Sequence, residues 1–148
     1  MKRLLLFTAF LAGACDTFPK DPDGTLDRVR TERRFRVGLI ATGDRKIGAD
    51  RRDAYLARLS RATGAAPLAK EGASEPLLLE LEAGQLDLVV GVIAPESRWV
   101  DRVAIVRPLG ETIEPQHLML TPMARNGENR WIMLLEREAR AIAAGPPA

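Results

Sequence analysis

Three short stretches carry residue types suited to holding a small anion: "ATGD" at 41–44, "KEGAS" at 70–74 and "GVIAPESR" at 91–98. Thr42 and Ser74 offer hydroxyls, Gly43 and Gly91 allow close backbone approach, and the guanidinium of Arg98 can grip a carboxylate in a bidentate manner. If Ser74 opens a helix, the first-turn amides behind it add donors for a negative charge. Each residue also has an ordinary structural role: Thr42 and Ser74 as local caps, Gly43 and Gly91 as turn or packing residues, Arg98 as a surface charge. Glu80, Glu82 and Asp87 are acidic enough for acid–base work, but the first two suit a helix face and the third a helix-to-strand turn. His117 is the one histidine and Cys15 the one cysteine, too few for a metal cluster. There is no nucleophile elbow, phosphate loop ending in lysine, or histidine metalloprotease motif. The pattern points to binding rather than catalysis, with no cofactor and no metal.

The elements needed to position those stretches follow from local patterning. "TLDRVRTERR" at 25–34 reads as a short helix with Thr25 as its cap, followed by a strand in "RFRVGLIA". Tyr55, Leu56, Leu59 and Ala62 recur at helical spacing, so a helix is expected over 51–62 with Asp50 as N-cap and Gly64 at its end. "AAPLA" at 65–69 is a short strand that Pro67 assigns to an edge. Ser74 opens the next helix, "LLLELEA" is its body and Gly84 its left-handed terminator. "DLVVGVI" at 87–93 is too continuously apolar for a strand with one wet face, so it requires cover on both faces. "RVAIVRPL" supplies another strand stopping at Pro108, and "HLMLTPM" a short one. A last helix starting at Asn126 or Gly127 carries Trp131, Leu134, Leu135 and Ile142 on one face. Strand–helix–strand order implies a three-layer α/β domain with a mostly parallel sheet. In such sheets small-molecule sites lie beyond the carboxyl ends of the strands, where "ATGD", "KEGAS" and "GVIAPESR" fall.

The 148 residues suffice for one domain. Lys2 and Arg3 precede an apolar run at 4–14 and then Cys15, the layout of an export signal too short to span a bilayer in the usual way. "LAGAC" resembles a lipobox, with Ala12 where leucine is usual. Lipidation of Cys15 with palmitate-like acyl chains, simple cleavage leaving a free thiol, and a retained anchor all fit; lipidation is the reading adopted. The expected organisation is a signal peptide over 1–14, a tether over 15–24 and a single α/β domain over 25–144. Asp16 resembles an inner-membrane retention signal, which places the protein on the periplasmic side of the inner membrane. Setting aside Lys2 and Arg3 leaves 20 of the 22 basic residues against 20 acids, so no concentrated positive charge argues for nucleic acid as a partner. Arg28, Arg30, Arg33, Arg34 and Arg36 cluster, but acids interrupt them and a solvated helix face is expected.

Taken in order, "GTLDRVRTERRFRVGLIA", "LARLSRATGA", "LLLELEAGQLDLVVGV" and "APESRWVDRVAIVRPL" resemble the first lobe of the extracellular solute-binding proteins of family 3, the receptors of amino-acid and related ABC importers. The resemblance covers roughly residues 24–110. It implies a type II periplasmic-binding-protein fold in which two lobes close on a ligand and a returning segment completes the first. Here "HLMLTPMARNGENRWIMLLEREARAI" looks like the returning strand and terminal helix, so the middle lobe is missing and one lobe is expected. Two further departures stand out. The segment after the first strand is reduced to "TGDRKIGADRR", and the family's carboxylate-holding threonine and arginine are approximated by residues 94–98, leaving Arg98 as the carry-over. The resemblance implies a degenerate or truncated substrate-binding protein taking an amino acid or small carboxylate. Its implied partners are an importer subunit or other inner-membrane protein, or a second copy forming a homodimer. The alternative is a non-catalytic, membrane-tethered interaction protein that keeps the lobe without the solute.

Overall fold

The structure, a computed structural model, describes residues 21–41, 48–94, 96–110 and 118–145. The elements run α1 (Thr25–Glu32), β1 (Arg34–Ile40), α2 (Ala49–Thr63), β2 (Ala66–Gly72), α3 (Ser74–Glu82), β3 (Leu88–Ile93), β4 (Val103–Ile105), β5 (Met119–Arg125) and α4 (Asn129–Ala143). One five-stranded sheet has the order β2-β1-β3-β5-β4. β1 is parallel to both β2 and β3, whereas β5 is antiparallel to β3 and to β4. The sheet is therefore mostly parallel, with one reversed strand inserted between β3 and β4.

β3 shows why three layers are needed. Leu88 and Val90 point into a core shared with α1, α2 and α4, through Val29, Tyr55, Leu59, Trp131 and Leu135. Val89, between them, joins the opposite core with Leu77, Leu78 and Leu81 of α3, together with Trp99 and Met123. All three strand residues are buried, so the continuous apolar run is the period-2 alternation of a strand covered on both sides. Gly84 has φ +72° and ends the helix before it, the left-handed position where glycine carries no Cβ penalty. β2 lies at the sheet edge as Pro67 implies, but it runs seven residues, to Gly72, and six of them are exposed.

Several boundaries differ from the sequence reading. α2 starts at Ala49 with Gly48 as its cap at φ 68°, so Asp50 sits in the first turn and acts through charge rather than as the N-cap. Gly24, not Thr25, caps α1, and the helix stops at Glu32 with Arg33 at φ 53°. α4 begins at Asn129, and the buried Glu128 before it turns away to accept hydrogen bonds from the backbone N–H groups of Asp23 (2.9 Å) and Thr25 (3.0 Å) at the start of α1. That carboxylate serves another helix's orphan donors, 103 residues away from Thr25. The strand expected over "RVAIVRPL" shortens to β4, after which Val106 and Leu109 continue to donate their N–H groups to Pro122 and Leu120 of β5.

Candidate functional site

At the carboxyl ends of β1 and β3, the last strand residues Ile40, Val92 and Ile93 meet the N-terminus of α3 and the turn at 96–99. They enclose a half-open pocket of about 310 Å³. Ser74, Ser97 and Glu96 supply its polar lining, and Trp99 and Leu78 help form the apolar wall. Ser74 is the first residue of α3, follows an extended Ala73 (ψ 152°) that has no polar side chain to cap the helix, and lines the pocket. The N-terminal end of α3, where backbone amides lack intrahelical acceptors, thus borders the pocket.

Arg98 lies between the lining residues Ser97 and Trp99 but is not itself part of the pocket wall. It is exposed, forms an ion pair with Glu75 in the first turn of α3, and lies 5.8 Å from the centre of the Trp99 ring. Arg102 lies closer to the same ring, at 4.3 Å, and pairs with Glu82. Two arginines thus strap the 98–102 turn to both ends of α3 across a buried tryptophan, whose side chain is 5% exposed. Gly91 is buried in β3, where an added Cβ would come within 2.4 Å of the Ile40 Cβ. The close approach of β1 and β3 at their carboxyl ends requires a glycine there. Ser74 is brought together with the 96–99 turn, Arg98 is engaged to Glu75 outside the pocket wall, and Gly91 serves the strand contact behind it. Thr42, Gly43, His117 and Cys15 lie outside the described residues. Glu96 and Ser97 belong to the stretch 91–98 that the sequence assigns to the site, whereas Trp99 lies just beyond it; a tryptophan following a polar turn signals an apolar body with a wet edge.

The opposite end of the sheet holds a second polar cluster. Asp87, with its side chain 1% exposed, accepts from Arg28 Nη2 (2.6 Å), Arg36 Nη2 (2.6 Å), Arg36 Nε (3.1 Å) and the Arg36 backbone N–H (2.8 Å). Its own backbone N–H donates to Arg36 O at 2.9 Å, and its carbonyl accepts from the Trp131 indole at 2.7 Å. Burial alone pushes the Asp87 carboxyl up, but the hydrogen bonds from Arg36 and Arg28 outweigh it and hold the group below its ordinary value. The expectation that the 28–36 arginines form a solvated face is corrected for these two, which converge on one buried acid. A cleft of about 310 Å³ opens beside them, with Glu128 and Arg125 also in its wall. Asp87 and Glu128 spend their acceptors on Arg28, Arg36 and the α1 backbone, and Arg125 pairs with Asp23, so this cleft is built as a structural joint between α1, β3 and α4. Tyr55, buried between α2 and α4, donates to Leu135 O at 3.1 Å, and burial raises its hydroxyl well above the usual range.

No protein-family model matches the sequence, and no curated protein matches it. Solved structures do. The arginine-bound form of domain 1 from TmArgBP, of T. maritima, aligns with TM-score 0.65 at 14% identity, covering 78% of this chain and 98% of that one. An ancestral cationic amino acid solute binding protein, AncCDT-1, aligns with TM-score 0.63 at 10% identity, covering 80% and 93%. A Salmonella typhimurium periplasmic binding protein of high arginine specificity aligns with TM-score 0.58 at 10% identity, covering 77% and 95%. At these identities the likeness defines the fold. The chain adopts the single-lobe form of the type II periplasmic-binding-protein fold, with the terminal strand and helix closing the lobe as the sequence resemblance implied. Among the described residues no helix is long and apolar enough to cross a membrane, and no group of three or more His, Cys, Asp or Glu is placed to hold a metal ion.

Proposed function

We propose that the chain is a membrane-tethered, single-lobe solute-binding protein that takes an amino acid or other small carboxylate at the mouth of β1 and β3 and presents it to an importer subunit or other inner-membrane protein. In this reading residues 1–14 are a signal peptide, Cys15 carries the lipid, residues 15–24 are the tether and 25–144 the binding domain on the periplasmic side of the inner membrane. The observation that supports it is the pocket itself. Its volume of about 310 Å³ is at the small end of ligand sites, the size range for a single small solute. It lies beyond the carboxyl ends of parallel strands, with Ser74 at a helix N-terminus in its wall, and Arg98 is adjacent in sequence to the lining residues Ser97 and Trp99. Thr42 and Gly43, in the segment leading from β1, complete the proposed contacts, and Gly91 sets the strand spacing behind them.

A ligand carboxylate reaches Arg98 by replacing Glu75. Both side chains are largely exposed, so the pair contributes about 1 kcal/mol or less and exchange is cheap. A single lobe covers one side of the solute, and the uncovered side stays hydrated unless a second copy or a partner closes over it. Affinity in isolation is accordingly modest. The lipid offsets this by concentrating the protein at the membrane.

The test is a thermal-stability screen of amino acids and small carboxylates on the purified protein, run separately on monomer and dimer. A ligand bound by the native state alone raises the melting temperature in proportion to RT ln(1 + [L]/Kd), about 2.7 kcal/mol at 100-fold excess over Kd. Arg98→Ala is expected to remove most of the response to carboxylates while leaving the unliganded melting point nearly unchanged. An equal response in both proteins would remove Arg98 from the site. The rival reading is a scaffold that binds protein and no solute. No stabilisation by any solute, with reproducible capture of a membrane protein, would favour it.

A further inference from the structure

The tether meets the domain at one end, and that end carries unneutralised charge. α1 runs along the amino-terminal ends of the strands. Asp23, just before it, pairs with Arg125 at the end of β5. Arg28 reaches Asp87 at the start of β3, and the carbonyl of Arg33 accepts the N–H of Ala66 at the start of β2. α2 finishes at the same end, since Gly64 follows it and Ala66 pairs with Arg34. The exposed ionic groups here sort into two classes. Arg34 is paired with Glu32, and Arg130 with Asp27. Arg30, Arg33 and Arg61 are exposed and, among the described residues, hold no ion pair; Asp27, three residues before Arg30, is engaged by Arg130. Arg28 and Arg36 share the one Asp87 carboxylate, whereas Asp21 and the buried Glu128 at the same end hold no cation among the described residues, so over these groups the net surplus is two positive charges.

We propose that this end docks on anionic lipid headgroups through Arg30, Arg33 and Arg61. In this resting state the pocket mouth is held at the far end of the sheet, open to solute, and delivery to a membrane importer requires this end to leave the lipid. The inference rests on the proposed membrane attachment at Cys15. The chain between Cys15 and Asp21 can span at most about 20 Å even when fully extended, so an anchored residue 15 keeps the start of α1 near the headgroups. Within a Debye length of an anionic surface, each net positive charge adds attraction that corresponds to about a fivefold gain in association, on the order of 25-fold for a surplus of two. The pocket at the carboxyl ends of β1 and β3 lies a strand length farther out, open to solute or a second copy.

Purified full-length protein is reconstituted with vesicles of phosphatidylcholine alone, or containing roughly one-third phosphatidylglycerol to supply the anionic surface. Flotation reports attachment, and the rate of arginine labelling by phenylglyoxal, read by peptide mass, reports contact. On the anionic vesicles at low salt, labelling of Arg30, Arg33 and Arg61 is expected to slow about fivefold or more relative to phosphatidylcholine, with the protection lost at about 0.5 M salt. Arg140, exposed in the last turn of α4 at the far end, serves as the reference and keeps its rate. Equal rates on both lipids, or equal slowing at Arg140, would overturn the docking. Protein that floats with both lipids and shows no protection keeps the tether and refutes the docking. Protein that ignores phosphatidylcholine yet is protected in a salt-sensitive manner on the anionic vesicles keeps the docking and refutes the tether.

Discussion

Replacing Asp87 with asparagine tests the joint on which α1, β1, β3 and α4 converge. The carboxylate accepts four hydrogen bonds, three of them from guanidinium nitrogens, and its side chain is 1% exposed. An amide of the same shape keeps one acceptor and sets an NH2 group against two donors, leaving two guanidiniums without their counter-charge. Breaking a fully buried pair from one side costs about 3–5 kcal/mol. Arg28 and Arg36 remain 30% and 36% exposed, so water relieves part of that loss and the expected figure is about 2–3 kcal/mol. For a domain of this size that lowers the melting temperature by roughly 10 °C. The pH dependence has a definite sign. The folded carboxyl lies below its unfolded value, so its contribution is fully present above about pH 4 and is lost as pH falls through the folded value. The gap between parent and Asp87→Asn should therefore be widest near neutrality and close in acid. Adding Arg28→Met should lower stability by less than the sum of the two single changes, because one partner of the broken pair is gone. Thermal melts by circular dichroism at several pH values provide the assay. A variant melting within about 1 °C of the parent at pH 7 would refute the buried-joint reasoning.

Val89→Asp places a charge at a fully buried site between the sheet and α3 and is expected to prevent cooperative folding; a melt within ~1 °C of the parent would show that the burial is misassigned. Gly91→Ala forces the β1–β3 approach open against Ile40 and should destabilise by about 1–3 kcal/mol by urea unfolding, and adding Ile40→Ala should not restore the parent's stability, because alanine keeps the Cβ that lies 2.4 Å from the new methyl group. Glu128→Gln leaves one of the two α1 amides facing an NH2 group, so a loss of about 1–2 kcal/mol and faster amide exchange at Asp23 and Thr25 are expected.

What the sequence made legible was set by local chemistry. The unbroken run at 88–93 announced a strand buried on both faces, Gly84 announced the helix end before it, and Pro67 announced an edge strand; each depends on residues within a few positions of itself. Contacts made across the chain were hidden. Asp87 looked like a turn residue because its arginine partners lie 51 and 59 residues away. Glu128 looked like first-turn charge on α4, whereas its carboxylate spans more than 100 residues to cap α1. Arg98 was singled out from its loop position, but its engagement with Glu75 depends on how α3 packs over Trp99, which no spacing rule reports.

In the proposed function a small solute enters between Ser74 and the 96–99 turn. Two tryptophans make this directly visible by 1H–15N NMR. The Trp99 ring lines the pocket, while the indole N–H of Trp131 is donated to Asp87 O at the other end of the sheet. Titration with the solute found by stability screening is predicted to move the Trp99 indole resonance and the backbone amides of Ser74 and Ser97 in a saturable manner, with the Trp131 indole unmoved. Saturable shifts centred on Trp131 and Asp87, or none at Trp99, would contradict it.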